Sequence, residues 1–312
     1  MPEAMATIEP DDAVDVAESN YFRFTFSDKV EHWIQVFAFT GLAITGLIQL
    51  GSDKWVPQAV ITVFGGINTT RVIHRSLGIL VLIATAYHLG TAGYRFLVTR
   101  TGKHMLPGLG DARAAWHAVA YNLGIRDEPP YEGRFTFAEK MEYWSIIWGT
   151  LLMAVTGLMM WNPVATTAIF PGEFIPAAKT AHGGEAILAV LAIIVWHAYF
   201  VHVRHFNRSM LTGTLGEEEM EEEHAAELDA IKAREDDDSV PADVVRRRMR
   251  WFVPIYAVIV LVGTVFIVLF LTYQEITIKT VPPPAAQVEI YSPYVPGPGI
   301  AVVDASPSSP AP

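Results

Sequence analysis

Five long apolar segments constrain the fold of this chain more than any other feature. They cover residues 30–50, 73–98, 141–161, 182–203 and 252–273. Each is about as long as the ~20-residue helix that crosses the hydrocarbon core of a bilayer. Backbone polar groups inside lipid must be satisfied within the segment, so such a segment spans as a helix. The sequence therefore predicts an all-α integral membrane protein with five transmembrane helices.

The first and third spans are copies of one another. RFTFSDKVEHWIQVFAFTGLAITGLI, from Arg23, aligns with RFTFAEKMEYWSIIWGTLLMAVTGLMM, from Arg134, at a constant offset of 111 residues. Each copy is followed by a span that returns, so spans one to four form two related hairpins. Two hairpins predict an antiparallel four-helix bundle, a fold that often binds cofactors between its helices. The fifth span stands outside the repeat.

The distribution of Lys and Arg predicts the orientation of the chain. Most cations lie in the amino-terminal segment and in the 99–140 and 204–250 loops. Few lie on the other side of the membrane: Lys54, Arg71, Lys179 and Lys279, with Arg75 just inside a helix. Positively charged loops remain in the cytoplasm. We therefore expect a cytoplasmic amino terminus and an external carboxyl-terminal tail. Residues 1–20 lack an apolar stretch, so no signal peptide is expected.

The sequence predicts five regions along the chain. These are a disordered cytoplasmic amino terminus (1–20), the four-helix bundle (21–208), a charged cytoplasmic segment with a short helix and a linker (209–250), the fifth transmembrane helix (251–274) and a Pro-rich external tail (275–312). Pro-rich sequence without periodicity is extended or disordered. The tail is either a free end or a strap along a partner subunit, and the sequence leaves both open.

Composition restricts the cofactors and the partners. The chain has no cysteine, which excludes disulfides, thiolate zinc sites, iron–sulfur clusters and covalently attached c-type haem from this chain. Any metal must be held by His, Met, Asp or Glu. No nucleic-acid partner is expected, but the net charge of −11 is a weak argument for this, because much of it comes from the acidic run at 217–238, and such a run is usually a solvated segment.

Histidines inside the spans are the candidate cofactor ligands. His74 and His88 lie fourteen residues apart in the second span, and His182 and His197 lie fifteen apart in the fourth. Fourteen residues are close to four helical turns, so the two members of a pair share one face, roughly 21 Å apart. Ionisable residues inside a membrane are usually functional, and two imidazoles make a six-coordinate haem iron. The pattern predicts two haem b groups, one near each membrane face.

Other residues near the ends of the spans are secondary candidates. His32 opens the first span and His202 lies at the end of the fourth, five residues beyond His197, and together they would allow a third haem. Three cations could hold haem propionates near the outer histidines: Arg71, Arg75 and Lys179. Four glycines allow a helix or a porphyrin to come close: Gly41, Gly46, Gly149 and Gly157. Four histidines outside the spans are predicted to be ordinary surface residues: His104, His117, His205 and His224.

Several stretches together resemble one protein family. They are EHWIQVFAFTGLAITGL, RVIHRSLGILV, EKMEYWSIIWGTLLMAVTGLMMW, AHGGEAILAVLAIIVWHAY and LTGTLGEEEMEEEHAAEL. In sequence and order they resemble the membrane cytochrome b (gamma) subunit of respiratory formate dehydrogenases. That subunit is related to the cytochrome b subunits of nickel–iron hydrogenases and thiosulfate reductases. The resemblance extends from about Arg23 to Leu228.

The resemblance implies a ligand set for two haems. It pairs His74 with His182 at the outer haem and His32 with His197 at the inner haem, with a quinone site near the inner haem. His88 is an extra histidine that the resemblance does not explain, and the fifth span and the tail are further departures from the family.

Depth in the membrane favours a different ligand for the inner haem. Counted from the charged boundary at Arg95 and Arg204, His88 lies as deep as His197, whereas His32 lies nearer the surface. The sequence therefore leaves the inner pairing open between His32 and His88.

The expected function is that of a quinone-reactive b-type cytochrome subunit of a respiratory oxidoreductase in the bacterial cytoplasmic membrane, not an enzyme on its own. The haems would relay electrons between quinone and a partner that carries iron–sulfur clusters or c-type haems. Quinone chemistry moves protons, and Glu31, Glu139 and Glu142 are the candidate carboxylates. The alternative is a haem-free membrane anchor or an ion- or proton-conducting subunit whose histidines bind metal.

Overall fold

The fold is a bundle of membrane-spanning helices. The computed structural model describes residues 20–204, 206–233 and 240–274. Five helices in these ranges are long and apolar enough to cross a membrane: α1 (Phe26–Leu50), α3 (Ile67–Gly93), α5 (Phe137–Trp161), α7 (Phe174–Ala192) and α11 (Ala242–Thr272). The prediction of an all-α membrane protein with five spans is confirmed. The predictions for the far amino terminus and for the Pro-rich tail lie outside the described residues.

Two of the membrane helices continue with a wider turn. α3 runs on as the π-helical segment Tyr94–Thr99, and α7 runs on as Ile193–His197 and Tyr199–Arg204. A π-turn inserts one extra residue without breaking the helix, and it often occurs at functional positions. The extra residue explains why the two histidines of α7 are one position further apart than those of α3.

Short elements connect the membrane helices. They are α2 (Trp55–Val63), a 3₁₀ helix (Thr101–Met105), α4 (Leu109–Asn122), α6 (Pro163–Ile169), α8 (Ser209–Thr212), α9 (Glu217–Glu223), α10 (Ala225–Ala233) and the strands β1 (Tyr21–Phe22) and β2 (Thr214–Leu215). β1 and β2 pair antiparallel, with Tyr21 opposite Leu215. α2 and α6 each follow the first helix of a hairpin, so the repeat extends to these loops.

The same capping box lies at the start of the first helix of each hairpin. The Thr25 hydroxyl accepts the backbone N–H of Asp28 at 3.2 Å, and the Asp28 carboxylate accepts the backbone N–H of Thr25 at 2.9 Å. Thr136 and Glu139 form the same capping box at the start of α5. Such a box satisfies N–H groups that a helix leaves free at its first turn. α1 and α5 therefore start at equivalent residues, at what is called the amino-terminal face below. The other end of the bundle is called the opposite face.

Within each hairpin, the two helices approach closely at a glycine. α1 packs against α3, α5 packs against α7, and α1 also contacts α7. A Cβ at Gly46 would lie 3.2 Å from Cε1 of His74, and a Cβ at Gly157 would lie 3.3 Å from Cε1 of His182. These two glycines make room for histidine rings, because a methyl group at that distance would press on the ring.

The fifth helix packs against the first hairpin. Phe252 and Tyr256 of α11 stack with ring centroids 5.9 Å apart. They lie over Gly93 and Gly90 of α3, where a Cβ would come within 3.1 Å and 2.7 Å of the two rings. The Tyr256 hydroxyl also donates to the carbonyl of Ala86 at 2.5 Å. α11 begins at residue 242 instead of the expected 251, so the cluster of arginines at 246–250 belongs to the helix.

The acidic part of the 209–250 segment folds back onto the amino-terminal face. Three side chains form its buried apolar cluster, Leu215, Met220 and Leu228, with Tyr21 and Ile231 packed against them. Ion pairs surround this cluster: Arg23 contacts Glu139 at 3.2 Å, and Arg134 contacts Glu227 at 2.9 Å. The segment is therefore a packed cap within its described part, 209–233.

His224 corrects one sequence-based expectation. It was expected at the surface, but its residue is only 1% exposed and its Nδ1 lies 2.9 Å from the carbonyl oxygen of Gly133. Burial, together with the nearby Arg23 cation, lowers the pKa of His224 below its ordinary value. No feature of the sequence indicated this burial, since His224 lies within an acidic run that is typical of a solvated surface.

Candidate functional site

His74 and His182 form a matched pair near the opposite face. Their ring centroids lie 6.4 Å apart, with the ring planes at 70°. Nδ1 of His74 lies 2.8 Å from Oγ1 of Thr45, and Nδ1 of His182 lies 2.9 Å from Oγ1 of Thr156. Thr45 and Thr156 are equivalent residues of the repeat. The two hairpins thus orient their histidines by the same contact.

The threonine contacts determine which ring nitrogen carries the proton. The Thr45 hydroxyl has one hydrogen, which it donates to the carbonyl of Gly41 at 2.6 Å. It must therefore accept from Nδ1–H of His74. Thr156 donates to the carbonyl of Leu152 at 2.6 Å and likewise accepts from His182. Both rings keep the lone pair on Nε2 free, which is the form that binds a metal.

His32 and His197 form a second pair near the amino-terminal face. Their ring centroids lie 6.3 Å apart, with an interplanar angle of 37°. Nδ1 of His197 donates to Oε1 of Glu142 at 2.5 Å, which again leaves Nε2 free. Nδ1 of His32 is buried and has no hydrogen-bond partner among the described residues. A buried polar atom of this kind often indicates a functional group or a bound water or ion.

Both pairs fit a haem iron between two imidazoles. A metal–imidazole bond of about 2 Å on each side puts the two ring centroids about 6 Å apart, which agrees with the observed 6.4 and 6.3 Å. Three of the four rings hold their proton on Nδ1 through a defined acceptor, as haem ligation through Nε2 requires. Within the described ranges, no group of three or more His, Asp or Glu side chains is placed to bind a bare metal ion.

His88 has a different environment from the four paired histidines. Its Nδ1 donates to Oε2 of Glu31 at 2.8 Å, and its Nε2 lies 2.9 Å from the hydroxyl of Tyr143. Both ring nitrogens are therefore engaged by protein side chains. The ring that faces His197 is that of His32, although depth in the membrane had favoured His88 as its partner.

The remaining candidates lie around these pairs. The ring of His202 lies 6.3 Å from that of His197 at an angle of 85°. A third site formed by His32 and His202 would share His32 with the pair already described. Arg75 lies 5.1 Å from the ring of Trp161, near the pair at the opposite face. Three other candidates are exposed: Arg71, His104 and Lys179. His117 is half-buried, and His205 lies outside the described residues.

The carboxylates divide into different roles. Glu31 and Glu142 contact the histidines, whereas Glu139 caps α5 and pairs with Arg23. Glu185 was not predicted. It lies within the span of α7, three residues after His182, and a Cβ at Gly149 would be 2.7 Å from its Oε1. The available signal was a carboxylate inside an apolar span, which is by default a functional candidate.

Comparison with known proteins identifies the family. Residues 23–213 match the family described as prokaryotic cytochrome b561. The chain belongs to this family. The match includes both hairpins and all four paired histidines, and it ends before the fifth helix. The protein is therefore a b-type cytochrome of the membrane, and the family implies haem b. The haem-free alternative is thereby disfavoured.

The cytochrome is also similar to curated subunits of formate dehydrogenases. It is 25% identical over 178 residues to the cytochrome b556(fdo) subunit of Escherichia coli K12, covering 57% of this chain and 76% of that subunit. The nitrate-inducible cytochrome b556(Fdn) subunit of the same organism is also 25% identical over 178 residues, covering 57% and 75%. A Haemophilus influenzae formate dehydrogenase subunit is 24% identical over 172 residues, covering 55% and 66%. The resemblance inferred from the sequence is confirmed.

Proposed function

We propose that this cytochrome relays electrons between a membrane quinone and a partner protein through two bis-histidine haem b sites. His74 and His182 would hold one haem near the opposite face, and His32 and His197 would hold the other near the amino-terminal face. The observation that carries the proposal is the spacing of the two ring pairs, 6.4 and 6.3 Å between centroids. When bound, haem b supplies reversible one-electron transfer at an iron with no open position.

The side chains behind the ligands would position them. Thr45 and Thr156 hold the two rings near the opposite face, and Glu142 holds His197. Such partners fix the ring orientation and make the imidazole a stronger ligand, and the effect is greatest for a carboxylate. His32 has no partner of this kind among the described residues, so the two haems would have unequal ligand environments.

The quinone would bind near the amino-terminal face. Reduction of a quinone takes up two electrons and two protons, so protonatable groups must lie close to it. Glu31 lies in a polar cluster at this face, where it is 3.3 Å from both Ser27 and Thr91. An apolar groove of about 500 Å³ on the outer side of α1, lined in part by Phe26 and Trp33, starts at the same face. It has the character expected of a binding site for an isoprenoid tail.

The partner would complete the electron path at the opposite face. This chain has no cysteine, so an iron–sulfur protein or a multihaem cytochrome c must supply the further redox centres. Relatives of the chain are named as subunits of formate dehydrogenases, which supports a hetero-oligomeric membrane complex. Because cations concentrate in the loops at the amino-terminal face, we propose that this face is cytoplasmic.

Quinol-driven reduction of the purified cytochrome tests the proposal. A short-chain quinol added under anaerobic conditions should produce the reduced α-band of haem b, and a quinone should reverse it. Dithionite provides the full reduction level for comparison. A protein that dithionite reduces but that exchanges no electrons with any quinol or quinone would contradict the quinone part of the proposal.

Haem counting in two single variants tests the ligand assignment near the amino-terminal face. His32→Ala should lose one haem, whereas His88→Ala should keep two with normal spectra. The reverse pattern would assign the ligand to His88. Loss of one haem in each variant, from a wild type that holds three, would establish a third site.

A further inference from the structure

The two hairpins repeat their polar contacts as well as their sequence. Trp33 of α1 donates through Nε1 to the carbonyl of Met210 at 3.2 Å, and Met210 follows the second helix of the other hairpin. The equivalent Trp144 of α5 donates to the carbonyl of Met105 at 3.0 Å, and Met105 follows the second helix of the first hairpin. Each hairpin thus donates a tryptophan hydrogen bond to a backbone carbonyl at the end of the other hairpin.

This relation creates two equivalent positions near the amino-terminal face. His88 and His197 occupy corresponding places on α3 and α7. Each donates through Nδ1 to the glutamate of its own hairpin, Glu31 at 2.8 Å and Glu142 at 2.5 Å.

Each of these two rings then faces the residue that follows the glutamate in the other hairpin. For His197 that residue is His32, and for His88 it is Tyr143.

The two positions differ at this one facing residue. Between His32 and His197 the rings are 6.3 Å apart. At the other position, Nδ1–H of His88 is donated to Glu31, so the Tyr143 hydroxyl donates to Nε2 at 2.9 Å. The lone pair that would bind iron is thus already used. A metal between two ligand atoms needs about 4 Å, from two bonds of about 2 Å, and a 2.9 Å contact leaves no space for it.

We propose that Tyr143 determines which of the two equivalent positions receives haem. Its hydroxyl closes the position at His88 and restricts the haem near the amino-terminal face to His32 and His197. The inference rests on the proposed bis-histidine ligation. It explains why His88 of α3 does not bind a third haem. It also explains why only the second hairpin supplies a ligand, His197, from its second helix to the haem near the amino-terminal face.

Exchanging the two facing residues tests this inference. Haem per chain is measured as the pyridine haemochrome of detergent-purified, monodisperse protein, and the spin state is read from the visible spectrum. Tyr143→His should raise the count from two to three low-spin haems. His32→Tyr should lower it to one, because the new hydroxyl would close the position at His197. The double exchange should restore two.

Controls separate the new site from other effects. Adding His88→Ala to Tyr143→His should return the count to two, because the third haem needs both histidines. A folded Tyr143→His protein with two haems, or a double exchange that stays at one, would overturn the proposal.

Two variants keep the test decisive if the new histidine prevents folding. Tyr143→Phe and His88→Ala should each keep two haems, and loss of a haem in either would show that the His88–Tyr143 position is itself part of a haem site. A wild type with fewer than two haems would instead contradict the proposed ligation, and this is measured before any Tyr143 variant is interpreted.

Discussion

Removing the threonine hydroxyls behind His74 and His182 should weaken haem binding near the opposite face. Valine has the shape of threonine but cannot accept the proton of Nδ1. Each of Thr45→Val and Thr156→Val removes the contact to the histidine, of 2.8 or 2.9 Å, together with the hydroxyl's own bond to a backbone carbonyl. The part-buried N–H of the histidine is then unpaired, at a cost of about 1–3 kcal/mol. Loss of a partner behind a metal-bound histidine typically weakens binding by roughly 10–100-fold. The two estimates agree, since a factor of 10 corresponds to about 1.4 kcal/mol.

The assay is haem transfer to an excess of a soluble apo-haem protein. It is best done in a His32→Ala background, which should retain only the haem near the opposite face. The rate of transfer should rise by about 10-fold or more in either valine variant, and by more in the double variant. Thr180→Val is the matched control. Thr180 also donates to a backbone carbonyl of its own helix, at 3.0 Å, and no histidine is among its hydrogen-bond partners in the described part of the chain.

The result would refute the reasoning if Thr45→Val and Thr156→Val released haem no faster than Thr180→Val. That outcome would mean that the hydroxyls do not set the proton position on the two rings. A change confined to only one of the two valine variants would contradict the equivalence of the hairpins.

Three further predictions concern the haem ligands, the orientation in the membrane and His224. His74→Ala and His182→Ala should each remove the same haem, because one iron needs both imidazoles, and unlike residual spectra would contradict the pairing. A reporter fused after residue 290 should be external and one near Asp236 cytoplasmic, and the opposite result would reverse the orientation. Burial lowers the pKa of His224 below its ordinary value of 6.5. Below pH 6.5 the unfolded chain therefore binds a proton at His224 more readily than the folded chain does. The free energy of unfolding decreases as the pH falls below 6.5. Limited proteolysis of 213–233 should therefore accelerate below pH 6.5, and His224→Gln should reduce this dependence; an unchanged profile would exclude His224 as the cause.

The overall fold could be predicted because its signals are local in sequence. Apolar length alone reports a membrane helix, and the RFTF repeat with its capping Thr25 and Thr136 shows where each hairpin starts. The short helices α2 and α6 were not predicted, because short apolar helices outside the spans have no comparable signal.

The ligand near the amino-terminal face could not be decided from the sequence. Depth along the helix axis places His88 beside His197, but depth does not report which side of a helix faces which neighbour. That direction depends on the packing of α1 against α7 and on the π-helical turn at Ile193–His197. Glu185 was overlooked for a related reason, since its position against Gly149 is visible only when α5 and α7 are packed.

Haem quantification of the purified chain tests the central claim most directly. A reduced-minus-oxidised visible spectrum, combined with haem and protein determination, should show a b-type α-band and two low-spin, six-coordinate haems per chain. A folded chain without Soret absorption would contradict the cytochrome function. Haem bound through a single histidine, seen as a high-spin, five-coordinate spectrum, would contradict the two bis-histidine sites.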